Sequence, residues 1–262
     1  RIKAVIVVHW GGNPVDLEAV WAWAAPRGIA VIEDAAHALG ATYRGQPIGT
    51  LLPSRYPGLR RFTCFSFQAI KHLTCIDGGL VACQNEADQR QGKLLRWFGI
   101  DRDTPQTDFR CETDVPHWGY KFHLHDVAAA VGRANLPHLA GIVAAHQSNA
   151  RWLDQHLTGV LPAAPYLARR DEGTFSACWL YTVLVPGGEA RRDAFMEHVR
   201  AQDIQCSKVH ARNDTHTCFA RYRRALPGVD QFYSSMCCLP VGWWLTMEDL
   251  ARNKEAVNSF RG

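Results

Sequence analysis

The sequence lacks the features that mark membrane-spanning, secreted and nucleic-acid-binding proteins. Its 262 residues contain no apolar run that we expect to cross a bilayer, and no basic segment leads into an apolar stretch as in a signal peptide. The 29 Lys and Arg against 25 Asp and Glu leave a small, scattered net charge of +4, which does not form the basic footprint of a nucleic-acid binder. We therefore expect a cytoplasmic protein whose partners are neither nucleic acids nor membranes.

The cysteines and histidines lack the spacing of disulfide frameworks and zinc sites. The nine cysteines are odd in number and include no CxxC pair, which indicates reduced, mostly buried thiols. Two close pairs occur, His123 with His125 and His216 with Cys218, but neither has the second pair that a closed zinc site needs. We therefore expect no metal site.

The first forty residues follow the pattern of a βαβ unit. Residues 4–8 form a continuous β-branched apolar run, which is typical of a strand buried on both faces. A helix is predicted over 16–25, because four apolar residues recur on one helical face before Pro26. A second apolar strand over 29–32 leads to Asp34. Strand, helix and strand over this length predict a parallel sheet.

The rest of the chain predicts more elements of both kinds and two domains. A hairpin is expected over 40–49, with further strands over 62–67, 79–82, 179–185 and 204–209 and helices over 86–97, 126–135, 139–157, 191–202 and 245–260. Asp126 is the expected N-cap of its helix. The stretch 158–173 is rich in Pro, Ala and Gly, so we divide the chain into a large domain, 1–158, and a small α+β domain, 159–262.

Two polar side chains stand where α/β proteins hold ligands. Asp34 ends a buried strand, and ligands bind outside the carboxyl ends of parallel strands, although aspartate is also a common turn former. Lys71 follows a strand that ends at Ser66, in a loop of apolar residues. Partial desolvation there would lower the pKa of the amine and make it a nucleophile. On spacing alone, an exposed lysine after an edge strand is the simpler interpretation.

Several segments occur in the order found in one enzyme family. Residues 31–40 read VIEDAAHALG, and residues 66–71 read SFQAIK before Gly78 and Gly79. Further matching segments lie at 119–122, 126–130, 209–214 and 239–246. The chain resembles the DegT/DnrJ/EryC1/StrS family of sugar aminotransferases, which are fold-type-I pyridoxal-phosphate (PLP) enzymes. The resemblance implies an α/β fold with a mixed, mostly parallel sheet flanked by helices, and a smaller C-terminal α+β domain.

The resemblance also implies roles for individual residues. Lys71 would hold PLP as a Schiff base and move a proton at the substrate carbon, while Asp34 would pair with the protonated pyridine nitrogen. Ser66 would bind the phosphate. His37, where the family often has Gln, would hydrogen-bond the phenolic oxygen of the ring or be a buried structural histidine. Lys121 stands where many members have an Asn that reaches the phosphate of the neighbouring subunit.

The function implied by the resemblance is amino transfer, with glutamate as the expected donor and a nucleotide-linked keto-sugar as the acceptor. The expected assembly is a homodimer with shared active sites. His210 and Arg212 would lie near the mouth of the substrate site or would only pack the small domain. A related branch of the family has His in place of the lysine and dehydrates keto-sugars, so Lys71 favours transamination.

Two alternatives remain. The family has an opening segment with a phosphate-binding Ser/Thr-Gly-Thr turn and an aromatic residue that stacks on the ring, and this sequence contains neither. We therefore expect this chain alone to bind PLP weakly and to turn over poorly. A truncated, non-catalytic dimerisation or binding module is one alternative, but the retention of Asp34 and Lys71 argues against it. A nicotinamide-dependent dehydrogenase is the other, and no GxGxxG follows any predicted strand.

Overall fold

The computed structural model describes residues 2–50, 55–104, 114–162 and 173–261. Contacts divide the chain into two compact units. The first consists of Arg1–His9, Val15–Leu39 and Gln46–Leu139, and the second of Trp10–Pro14, Gly40–Gly45 and Ala140–Gly262. The predicted domain boundary near 158 remains a prediction.

The described residues form strands and helices in the following order. The strands are β1 (Ala4–Val8), β2 (Ala30–Asp34), β3 (Thr42–Tyr43), β4 (Gln46–Pro47), β5 (Arg61–Ser66), β6 (Gly79–Cys83), β7 (Leu161–Pro162), β8 (Tyr181–Leu184) and β9 (Met236–Leu239). The helices are α1 (Leu17–Ala24), α2 (Glu86–Arg96), α3 (Asp126–Asn135), α4 (Leu139–His156), α5 (Glu189–Arg200), α6 (Pro227–Ser235) and α7 (Met247–Ser259).

The first unit contains a mixed four-stranded sheet in the order β1-β2-β5-β6. β1 and β2 pair in parallel, as do β2 and β5, whereas β5 and β6 are antiparallel. Val8 lies opposite Asp34, which lies opposite Cys64, so the carboxyl ends of three parallel strands meet at one edge. The predicted mixed, mostly parallel sheet is confirmed.

The prediction that β1 is buried on both faces is wrong for the described residues. Val31 of β2 is fully buried on the face that packs against α1, where Val5 and Val7 join the same cluster. On the opposite face Ile6 is 65% exposed and Val8 is 45% exposed. A continuous apolar run shows that both faces of a strand are apolar, but it does not show that other elements cover both faces.

The caps explain where the helices of the first unit begin. The Asp16 side chain accepts the N–H of Ala19 at the start of α1. The N-cap of α3 is His125 and not the predicted Asp126, because Nδ1 of His125 accepts the N–H of Ala128 at 3.1 Å. A neutral imidazole can supply the acceptor that Asp or Ser supplies in most helices.

The second unit is a small α+β arrangement. β7, β8 and β9 form an antiparallel sheet, and its core includes Tyr181, Val183 and Phe195, all at most 2% exposed. The predicted strand over 204–209 is wrong. Only an isolated bridge joins Ser207 to Cys238. The backbone of Val209 has φ 61, which an extended strand does not adopt.

One helical stretch, Asp126–His156, is long and apolar enough to span a membrane by length and composition alone, contrary to the expectation of no such run. It combines α3 and α4, which a short turn containing Pro137 joins. In α4 the residues Val143, Ala150 and Leu153 are buried within the protein. One such helix is weak evidence for membrane insertion, because a core helix passes the same test.

Candidate functional site

Asp34 is held firmly at the carboxyl edge of the sheet. Its carbonyl accepts the N–H of His9 at 3.0 Å, and the following N–H of Ala35 donates to the carbonyl of Cys64 at 2.8 Å. Its Oδ1 accepts the N–H of Ala36 at 3.1 Å. These bonds fix the carboxylate in one orientation and use only one lone pair of one oxygen, so the group retains capacity to bind a cation or a donor.

His9 and Glu33 form a buried polar pair that was not predicted from the sequence, and Glu33 directly precedes Asp34 in the chain. His9 is fully buried, and its Nε2 lies 3.2 Å from Oε2 of Glu33, which is 2% exposed. The Nδ1 of His9 accepts the N–H of Val15 at 3.1 Å, so the neutral ring carries its proton on Nε2 and donates it to Glu33. A histidine directly after an apolar strand was the available signal. The pair ties the end of β1 to β2.

Arg61 adds a buried cation on the same face of the sheet as Glu33. It is 2% exposed, and its guanidinium lies 4.9 Å from the centroid of the Trp21 ring. Burial lowers the pKa of Arg61, and the charge of Glu33 acts in the opposite direction. Alternate residues of a strand point to opposite faces, so Glu33 faces this buried layer while Asp34 faces the other side.

The loop that carries Lys71 closes on itself. Phe67 donates its N–H to the carbonyl of Gly78 at 2.8 Å, which joins the two ends of the loop. At its start, Oγ of Ser66 accepts the N–H of Gln68 at 3.3 Å, and the N–H of Lys71 donates to the carbonyl of Gln68 at 2.9 Å. The hydroxyl proton of Ser66 is not used in the bond to Gln68, so it can be donated to a ligand.

Lys71 and Asp34 interact electrostatically. Burial lowers the pKa of the half-buried Lys71 amine, and the negative charge of Asp34 opposes part of this change. The net direction is downward, so more of the amine is neutral near pH 7 than for an ordinary lysine. The neutral amine is the form that attacks a carbonyl carbon.

The other two predicted residues of the first unit have different surroundings. His37 is 8% exposed, in a turn where Ala38 donates its N–H to the carbonyl of Ala35. Lys121 is exposed, and its Nζ lies 5.2 Å from the centroid of the Trp97 ring. Its backbone forms an isolated bridge with Trp97. The expected contact of Lys121 crosses between subunits, so a single chain does not test it.

The two predicted residues of the second unit are held within that unit. Arg212 pairs with Asp214 at 2.7 Å and also with Asp230, and these carboxylates raise its pKa. This supports the alternative in which Arg212 packs the small domain. The exposed His210 contacts Trp10 edge to face, with ring centroids 5.3 Å apart. Trp10 directly follows His9 in the chain and was not singled out in the sequence.

A cavity of about 440 Å³ in the first unit contains none of the predicted site residues. It lies along α2, and its lining includes two ion pairs, Arg90 with Asp101 and Lys93 with Asp103. In the part of the chain that the structure describes, no group of three or more His, Cys, Asp or Glu has metal-binding geometry.

Comparison with known proteins identifies the chain. The sequence profile of the DegT/DnrJ/EryC1/StrS aminotransferase family matches residues 1–258. The chain belongs to this family. The resemblance drawn from the motifs around Asp34 and Lys71 is thereby confirmed, and so is the prediction of an aminotransferase.

Solved structures of family members share the fold. AtS13 from Actinomadura melliaura is 37% identical, with a TM-score of 0.85 over 99% of this chain and 67% of its own. The sugar aminotransferase CalS13 from Micromonospora echinospora is 34% identical, with a TM-score of 0.85 over 98% of this chain and 67% of its own. DesV from S. venezuelae, solved with a ketimine intermediate, is 27% identical, with a TM-score of 0.80 over 98% of this chain and 64% of its own.

The extent of the match limits what can be transferred from these relatives. The chain spans about two thirds of the length of the solved structures that it matches. The fold-type-I architecture is shared over almost the whole of this chain. The activity of the complete relatives, their substrates and their assembly come to this chain only as a proposal.

Proposed function

We propose that the chain carries out PLP-dependent amino transfer to a nucleotide-linked keto-sugar, with Lys71 as the residue that holds the cofactor. The observation that carries the proposal is a partly desolvated Lys71 amine on which the charge of the fixed Asp34 carboxylate acts. Family membership over residues 1–258 supports it. The donor set also fits the cofactor, because an amine, a carboxylate and a free hydroxyl proton at Ser66 match an aldehyde, a pyridine nitrogen and a phosphate.

Lys71 would act on the proton of the substrate carbon. When bound, PLP supplies an electron sink that stabilises negative charge on the substrate carbon. Lys71 would hold the cofactor through its neutral amine, and its Nζ would remove and return the proton at the substrate carbon. Its lowered pKa suits this role, because an amine that is already protonated accepts no proton.

Asp34 and Ser66 would bind the two ends of the cofactor. The carboxylate of Asp34, whose Oδ1 accepts the N–H of Ala36, would hold a proton on the pyridine nitrogen. Ser66 would donate its hydroxyl proton to a phosphate oxygen, since its Oγ already accepts from Gln68. His37 is buried close to Asp34 in the chain, where it would hydrogen-bond the phenolic oxygen.

The proposed assembly is a homodimer with Lys121 reaching the neighbouring site. The segment before α3 exposes Trp118, Tyr120 and Phe122 at 70%, 48% and 73%. Their rings contact each other, with centroids 5.4 Å and 4.6 Å apart along the series. Exposed aromatic surface of this kind marks interaction sites. A second copy covering it would bring Lys121, on the same segment, to the partner.

The substrate proposal rests on the relatives. CalS13 is named a sugar aminotransferase, and a nucleotide-linked keto-sugar with glutamate as donor is the combination that the family resemblance implies. A cytoplasmic location remains part of the proposal.

A single-turnover assay tests this function. The full chain is incubated with PLP and glutamate, and the 2-oxoglutarate released per chain is measured before a panel of nucleotide-linked keto-sugars is added and amine products are sought by mass spectrometry. With PLP in excess to offset weak binding by this chain alone, we expect slow release that approaches one equivalent of 2-oxoglutarate per wild-type chain. We expect none from Lys71→Ala and a strong loss from Asp34→Asn, which keeps the shape but removes the charge.

Lys93→Ala is the matched control, because Lys93 lies on α2 and pairs with Asp103. It should release as much 2-oxoglutarate as the wild type. Release from the wild type no greater than from Lys71→Ala would refute catalysis by this chain and favour the alternative of a non-catalytic module.

A further inference from the structure

The segment that follows Lys71 is seated on α3 by an unusually close contact. Gly132 is buried in the middle of α3, and a Cβ built on it would lie 2.3 Å from Sγ of Cys75. Real Cβ atoms essentially never come that close to another heavy atom. Glycine weakens a helix interior relative to alanine, so its presence here requires a reason. The approach of Cys75 provides one.

Two further contacts hold the same segment. Nδ2 of Asn135, one turn after Gly132 on α3, donates to the carbonyl of Thr74 at 3.0 Å. A Cβ on Gly78 would lie 2.8 Å from Cδ1 of Leu124, just before α3. The loop is therefore held by its backbone and by a buried thiol, since Cys75 is only 4% exposed.

The contact between Cys75 and Gly132 is linked to Lys71 through the backbone of the loop that contains both Cys75 and Lys71. Cys75 donates its N–H to the carbonyl of Phe67 at 2.8 Å, and Phe67 donates to Gly78 at 2.8 Å. Lys71 lies between these pinned points. Any shift of Cys75 away from Gly132 must therefore move the loop that fixes the depth of the Lys71 amine beside Asp34.

We propose that Gly132 and Asn135 of α3 are positioning residues that set the burial of Lys71 through Cys75 and Thr74. Neither residue touches the reacting atoms. This inference rests on the proposed function, because it concerns the position of the lysine that is proposed to hold the cofactor. It is tested without cofactor, so that its failure and the failure of the proposed function are distinguishable.

The test measures the titration of Lys71 in the apo chain. Lysines of the full chain are labelled competitively with acetic anhydride from pH 7 to 11 and quantified by mass spectrometry, with the exposed Lys3 as internal reference. In the wild type, Lys71 should titrate below the ordinary range of a lysine. In Gly132→Ala the midpoint of Lys71 should rise above its wild-type value. A rise of one unit means about tenfold less neutral amine at pH 8.

A compensating variant separates positioning from general damage. The Cβ position at Gly132 lies 3.7 Å from Cβ of Cys75, an ordinary contact. Cys75→Ala therefore removes only the clashing sulfur, and Gly132→Ala combined with Cys75→Ala should restore the wild-type midpoint of Lys71. Cys75→Ala alone should stay close to the wild type. Asn135→Asp, which removes the donor to Thr74, should raise the midpoint.

Gly92→Ala is the matched control, because Gly92 lies within α2 and a Cβ there meets nothing within 4 Å. It should leave Lys71 unchanged. A folded Gly132→Ala with the wild-type midpoint would overturn the proposal, as would a double variant that titrates like Gly132→Ala. If Gly132→Ala does not fold, the double variant decides: restored folding and midpoint support the proposal, and failure of either overturns it.

Discussion

Ile76, in the loop that carries Lys71, holds a backbone conformation that costs it free energy. Its φ is 72, in the left-handed region that β-branched residues rarely adopt. Replacement by glycine should remove this strain, because glycine adopts positive φ without a steric cost. We therefore predict that Ile76→Gly is far better tolerated than an ordinary Ile→Gly change.

The magnitude follows from comparison with Ile70 in the same loop. The two side chains are similarly exposed, at 61% for Ile76 and 64% for Ile70, so substitution by glycine loses similar apolar contact in each. Both changes also add chain entropy to the unfolded state, at about 0.5–1 kcal/mol each. Only Ile76 has positive φ, and a left-handed L-residue costs about 1–2 kcal/mol. Ile76→Gly should therefore be about 1–2 kcal/mol less destabilising than Ile70→Gly.

Urea unfolding followed by tryptophan fluorescence measures this difference, and the nine tryptophans provide the signal. The free energies of unfolding of wild type, Ile70→Gly and Ile76→Gly are compared under one set of conditions. Equal destabilisation by the two glycine variants, with unchanged m-values, would refute the claim that the backbone at Ile76 is strained.

Four further predictions concern stability. Glu33→Gln removes the carboxylate that accepts the proton of the buried His9 and that acts electrostatically on Arg61. It should lower the free energy of unfolding by about 1–3 kcal/mol, seen as a lower Tm; an unchanged Tm would contradict this. Lys71→Met should raise the free energy of unfolding at pH 7. The pKa of Lys71 is lowered in the folded chain, so protonation of its amine favours the unfolded state. The gain should shrink as the pH rises toward 10, and a gain independent of pH would contradict this cause. Thr246→Ala removes the cap of α7 and should cost about 1 kcal/mol in urea unfolding. The bond to Thr246 also lowers the pKa of Asp249, so the stability due to this carboxylate should be lost as pH falls through its folded pKa, and a loss on raising the pH would contradict this.

The elements that local pattern determines were predictable. The βαβ unit from β1 to β2 follows from an apolar run, a helical face and a second apolar run, and each signal lies within a few residues of its element. The predicted strand over 204–209 is wrong because the backbone of Val209 has a positive φ. The apolar alternation of this segment does not reveal that conformation. α6 and β9 were not predicted; α6 ends at Ser235 and β9 begins at Met236, so no loop marks their junction.

The candidate site was predictable in its members but not in its environment. The motifs predicted that Asp34 and Lys71 are site residues, but only the structure shows that the charge of Asp34 acts on the Lys71 amine. The burial of His9 against Glu33 depends on residues 24 positions apart. The close contact of Gly132 with Cys75 joins residues still farther apart. Pairings of this kind arise from tertiary packing, which a single sequence does not encode in any local pattern.

The central claim is that Lys71 holds the cofactor, and covalent trapping tests it most directly. The purified chain is incubated with PLP, reduced with borohydride and digested, and pyridoxyl-modified peptides are mapped by mass spectrometry. The account predicts modification concentrated on Lys71, absent from Lys71→Ala and retained in Lys93→Ala. Modification spread over surface lysines, or none at all, would contradict it.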